Sequence, residues 1–132
     1  MINKSRIKGW CPGALRPMES GDGLIVRLRM SGGRVSLAHA HVIADAAMRY
    51  GNGLIDLSAR ANLQLRGVRE EEWPSLIDHL SRYDLIDQDE RAEAVRNIIA
   101  SPLWGLDPSS ALDITLHIKA LESRLTRNKP LH

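Results

Sequence analysis

In the stretch "LIDLSARANLQLRGV", residues 54–68, Arg60, Asn62, Gln64 and Arg66 recur at every second position. A guanidinium meets a carboxylate or phosphate with two parallel N–H donors, and an amide beside it can add a third. A spacing of two puts all four side chains on one face of a β-strand. "GLIVRLRM" repeats the alternation, with Arg27 and Arg29 on one side and Leu24, Val26, Leu28 and Met30 on the other. The chemistry on offer is capture of a ligand carrying several acid groups.

Other reactive types are poorly placed. His39 and His41 form an H-x-H pair, but on a helix positions i and i+2 point apart, which argues against a shared metal. His79 and His117 are isolated. Cys11 is the single cysteine, so neither an internal disulfide nor a site built from several thiolates can form. It has no His–Asp partner within its stretch, and no carboxylate pair has a spacing that argues for acid–base work. "SGDG" and "SGG" are glycine turns lacking the Lys-Ser/Thr of a phosphate loop. RNA-binding sheets stack bases on exposed aromatics, and these strands contain none, so nucleic acid is an unfavoured partner.

The elements that must hold the row follow from periodicity. Residues 1–20, with Gly9, Pro12, Gly13 and Pro17, read as an extended arm. Residues 21–88 read as one β-α-β-β-α unit, an α+β fold with both helices on one sheet face. Its first strand begins at "GDGLIVRLRM". Ser36 caps a helix reaching Tyr50, with Leu37, Ala40, Ile43, Ala44 and Ala47 at core spacing. Strands Leu54–Leu57 and Asn62–Val68 follow. A helix over "REEEWPSLIDHLSRYDLI" then begins with an acidic turn and turns Trp73, Leu76, Ile77 and Leu80 inward. Residues 89–132 form a helical extension: a short helix, a loop fixed by Pro102 and Pro108, and a longer helix capped by Ser109 or Ser110.

Charge is unevenly spread along the 132 residues. Residues 1–69 hold 11 Lys or Arg against 4 Asp or Glu, a balance of +7; residues 70–132 hold 7 against 12, a balance of −5. Only Glu19, Asp22, Asp45 and Asp56 are available within the basic half to neutralise its arginines. An unpaired buried guanidinium costs several kcal/mol, roughly, so the arginine face is expected to be wet or to hold an anion. No apolar run approaches the roughly 20 residues that span a bilayer, and the N-terminus lacks the apolar core of a secretion signal, so a cytoplasmic location is expected.

The "CPG" arm, the "SGDGL" strand entry, "ANLQLRG" and "AEAVRNIIASPLWGLDP" together resemble the precorrin-3B synthases. These form the cobalamin-pathway branch of the nitrite and sulfite reductase family, and the resemblance runs from about Cys11 to Pro108. It implies a ferredoxin-like half-domain that helps to cradle siroheme or a precorrin-type tetrapyrrole. By resemblance, Arg27 and Arg96 are arginines at the substrate anion. A Thr/Ser-x-Arg-x-x-Phe/Leu-Gln pattern of siroheme contacts falls on Arg60 and Gln64, with Asn62, Arg66 and Asn97 beside them.

The family's iron–sulfur cluster (4Fe–4S) is held by four cysteine thiolates, which this sequence cannot supply. Nor does the sequence hold the second ferredoxin-like half. By itself the chain is therefore not expected to hydroxylate a precorrin. It is expected to bind a tetrapyrrole, as a homodimer or with a separate reductase subunit. The alternative is an interaction or regulatory module docking through Leu112, Leu116, Leu121 and Leu125.

Overall fold

The computed structural model describes residues 11–109 and 112–127. Four strands form one antiparallel sheet in the order β1-β2-β4-β3: β1 Met18–Ser20, β2 Gly23–Leu28, β3 Ile55–Leu57 and β4 Leu63–Val68. Helix α1 (Leu37–Tyr50) joins β2 to β3, and α2 (Trp73–Ser81) follows β4. The short α3 (Glu90–Val95) and the longer α4 (Thr115–Arg127) complete the chain. This is the expected α+β arrangement, a ferredoxin-like half-domain with a C-terminal helical extension.

The alternation along β2 decides which face is dry. Leu24, Val26 and Leu28 join Leu65 and Val68 of β4 against Ile43, Ala46 and Ala47 of α1 and Leu76 and Leu80 of α2. Leu65 and Val68 are three residues apart, yet both are fully buried. A β-bulge makes this possible: Leu24 pairs with Val68 and Val26 with Leu65, so β4 carries one extra residue. Gly67 takes the positive φ of 61° that the bulge needs. The extra residue breaks the strict alternation between Arg66 and Val68.

Several boundaries differ from expectation, each for a local reason. Met18–Ser20 lies in the stretch read as an arm, but it forms a hairpin with β2 through the Gly21-Asp22 turn. The arm continues along the sheet, with Arg27 N donating to Gly13 O at 3.1 Å. Ser36 does cap α1, accepting from His39 N at 3.1 Å. The buried stripe is Ile43, Ala46 and Ala47; Leu37 is exposed in the first turn, ahead of that stripe, and Ala44 is exposed because it falls to one side of it. The acidic triplet Glu70–Glu72 precedes α2 as a turn, where Arg69 pairs with Glu71 and Glu72.

Helix α4 starts at Thr115, later than a cap at Ser109 would place it, and Asp113 Oδ1 accepts from Thr115 N at 2.9 Å. Ser109 instead closes a turn on Asp107, and Ser110 lies outside the described residues. The extension is fastened to the 3-10 turn Ser31–Gly33. Gly32, at φ 59°, sits beneath Trp104 and Ile118, where an added Cβ would approach Ile118 Cδ1 to 3.0 Å and Trp104 Cζ2 to 3.2 Å. Trp104 Nε1 donates to Gly32 O, and the Arg34 guanidinium lies 3.6 Å from the Trp104 ring centroid. Ser31 Oγ donates to Glu122 Oε2 at 2.7 Å, tying α4 to the same turn. Among the described residues no helix is long and apolar enough to cross a membrane.

Candidate functional site: a guanidinium cluster on the open sheet face

The sheet face away from α1 and α2 carries the residues out of phase with the core. Registry places Arg27 of β2 opposite Gln64 of β4, and Gln64 opposite Asp56 of β3. Gln64 Oε1 accepts from Arg27 Nε at 2.9 Å and from Arg27 Nη2 at 2.6 Å, so the amide fixes the plane of the guanidinium. Burial lowers the Arg27 pKa from its ordinary value; the nearby Cys11 sulfur opposes that shift, while the charges of Arg29 and Arg60 add to it. Among the described residues no carboxylate pairs with Arg27 or Arg60.

Arg29 completes this cationic cluster. Its Nη1 donates to Glu93 O, while its buried Nε has no hydrogen-bond partner among the described residues. A buried N–H without an acceptor costs about 1–3 kcal/mol, so this cluster is the part of the surface with most to gain from an anion.

The row of four does not survive folding intact. Arg60 lies in the turn between β3 and β4, next to Ala61 at φ 57°, rather than on a strand. Asn62 is 3% exposed, and its Nδ2 donates to Asn97 Oδ1 at 3.2 Å, so this pair braces the site from within. Arg66 keeps to the Gln64 face but is spent on Asp22 at 3.1 Å and Asp56 at 3.3 Å, and it also donates to Ser20 Oγ. The hydrogen bond from Arg66 holds the Asp22 carboxyl below its ordinary range, and Asp22 raises Arg66 in turn.

Arg96 is likewise engaged. Burial opposes its charge, but Asp87 at 2.7 Å and Glu122 at 3.6 Å more than offset that and raise its pKa. The structure thus brings Arg27, Arg60 and Gln64 together as available groups and withdraws Asn62, Arg66, Arg96 and Asn97 into internal contacts.

The arginine face, expected to be wet or to hold an anion, is neutralised only in part. Asp22 and Asp56 serve Arg66, whereas Arg27, Arg29 and Arg60 have no ion-pair partner among the described residues, and Asp87 and Glu122 serve Arg96 within the C-terminal half.

Glu93, not anticipated as a site residue, anchors the arm beside the cluster. It is 4% exposed, and its carboxylate accepts from Ala14 N and from Leu15 N. Burial raises its pKa above the ordinary 4.5, although the two N–H donors and Arg29 pull the other way. The native state therefore binds this proton more tightly than the unfolded chain. Glu93's contribution to stability is fully present below pH 4.5 and is lost as pH rises through the higher native pKa. Urea midpoints measured from about pH 4 to about pH 7 should show this decline, and Glu93→Gln should flatten that segment.

Residues 16–83 match the model of the nitrite/sulfite reductase ferredoxin-like half domain, and the chain belongs to that family. Within it, a precorrin-3B synthase from Sinorhizobium sp is 37% identical over 106 residues, covering 80% of this chain and 22% of that protein. A ferredoxin-nitrite reductase from Synechococcus elongatus is 35% identical over 112 residues, 84% of this chain and 22% of the relative. One from Leptolyngbya laminosa is 30% identical over 120 residues, 90% of this chain and 23% of the relative. The chain spans about a fifth of the length of these curated relatives.

Proposed function

We propose that this half-domain binds a polycarboxylate tetrapyrrole, a precorrin or siroheme, and serves cobalamin biosynthesis. Arg27, Arg60 and the unsatisfied Nε–H of Arg29 would meet its acid groups. One observation carries the reading. The charges of Arg29 and Arg60 both disfavour that of Arg27, and none of the three ion-pairs with a carboxylate among the described residues. Arg27 has only the Gln64 amide oxygen and Arg29 only the Glu93 carbonyl. Such a cluster fits several carboxylates held on one rigid ring, because each charged contact made there also relieves like-charge repulsion. The relatives' activities, precorrin-3B synthesis and nitrite reduction, agree with a ligand of this class.

When bound, siroheme would supply the redox-active iron. The residues here would hold and orient the macrocycle edge: Gln64 fixes the Arg27 fork, and the Asn62–Asn97 pair fixes the turn that carries Arg60. Among the described residues no group of three or more His, Cys, Asp or Glu could itself hold a metal ion. The rest of the cradle would come from a second copy of this chain or from a separate reductase subunit. Titration of the protein with siroheme or uroporphyrin, followed by absorbance, should saturate; a strictly linear response overturns the reading. Sedimentation in the presence of the bound tetrapyrrole separates the two completions, since a persistent monomer rules out the second copy.

A second reading rests on a different observation. Leu112, Leu116, Leu121 and Leu125 are 59%, 74%, 47% and 36% exposed. These side chains would dock a reductase subunit, making the chain an interaction module. This reading predicts complex formation without tetrapyrrole.

A further inference from the structure

The helix side of the molecule holds a polar concavity that plays no part in the arginine face. The C-terminal end of α1 and the length of α2 enclose a cleft of about 490 Å³ lined by Arg49, Tyr50, Ser75, Asp78, His79 and Arg82. The sheet and its apolar core separate it from Arg27 and Gln64.

His79 is the middle ring of three. Its centroid lies 5.7 Å from Tyr50 and 5.5 Å from Tyr83, with the planes tilted by 52° and 56°. Its Nε2 is buried and lacks any hydrogen-bond partner among the described residues. Packed between two aryl rings, the imidazole cannot turn to seek a partner without giving up both contacts. A group entering from the cleft can satisfy that nitrogen, since buried polar atoms are nearly always paired.

The lining charge narrows the ligand. Arg49 and Arg82 bring two positive charges, and Asp78 brings one negative charge already engaged by Arg82. The Arg49 guanidinium also lies 5.6 Å from the Tyr50 centroid, which holds it at the rim. Two guanidiniums, an imidazole and the Ser75 hydroxyl offer more donors than a carboxylate's two oxygens can use. A phosphate has the oxygens and the double charge to engage them together.

We propose that this cleft binds the phosphate group of a small molecule, with Nε2–H of His79 and the Arg49 and Arg82 guanidiniums as donors. This reading is independent of the tetrapyrrole site.

The test is titration of the 132-residue chain with inorganic phosphate at constant ionic strength. The imidazole and tyrosine ring signals are followed by NMR, and acetate serves as the comparison. Saturable shifts confined to His79, Tyr50 and Tyr83 are expected, with affinity falling about tenfold in Arg49→Ala. Arg49 is exposed, so that change leaves the core untouched. Shifts that rise linearly, appear equally with acetate or persist unchanged in Arg49→Ala overturn the proposal.

Discussion

Arg27→Ala should weaken binding of siroheme or uroporphyrin by about tenfold or more while leaving the urea midpoint nearly unchanged. A hydrogen bond to a charged group contributes about 1.5–3 kcal/mol, which corresponds to roughly 10- to 150-fold in affinity. Little stability should be lost, because Arg27 is held by Gln64 and Cys11 and by no carboxylate among the described residues. Arg27→Lys should recover only part of the loss, since an ammonium cannot keep the two-pronged contact with Gln64 or present a planar fork to a ligand. Arg66→Ala supplies the contrast. Its guanidinium is spent on Asp22 and Asp56, so its removal should leave affinity almost unaltered. Equal losses in Arg27→Ala and Arg66→Ala would mean that the tetrapyrrole senses only overall charge, and the assigned site would be wrong.

The second large effect is expected at Gly13. A Cβ there would stand 2.3 Å from Glu93 Oε2 and 2.6 Å from its Cδ. The carboxylate can swing clear only by leaving the N–H groups of Ala14 and Leu15, and each stranded donor costs about 1–3 kcal/mol. Gly13→Ala should therefore lower the urea midpoint markedly. Trp73 fluorescence should report the change, because its indole Nε1 donates to Ala14 O at 2.9 Å. Tetrapyrrole affinity should fall with it, since Gly13 O accepts from the Arg27 backbone beside the cluster. A variant as stable as the parent would show that the arm does not depend on this contact.

The fold was largely legible because burial follows period. Alternation in β2, the Ser36 cap and the inward set Trp73, Leu76, Ile77 and Leu80 all act locally. The Met18–Ser20 strand was less visible: three residues are too few to show alternation, and Met18-Glu19-Ser20 has no β-branched or aromatic side chain. The site was half legible. Alternation predicted the face of Arg27 and Gln64 correctly. It placed Arg66 on that face too, but could not show that Asp22 and Asp56 neutralise it there, and no period of two contains the bulge that follows at Gly67. Arg96 could not be judged from neighbours in sequence, because Glu122 is brought to it by tertiary docking. Glu93 carried no signal beyond its place in an acidic helix; its importance arises from the two arm amides that it meets across the fold.

Glu122 touches both Ser31 and Arg96, so one carboxylate clamps the last helix to the turn after β2 and balances the guanidinium that follows α3. The family match stops at residue 83, before Asp87, Glu93 and Glu122. A chain cut at that boundary would keep every strand yet lose Glu93, which offsets the charge of Arg29 and holds the arm. It should behave as a sticky polycation, taking up heparin or nucleic acid indiscriminately, and such adhesion would be an artefact of the scissors and no property of the half-domain.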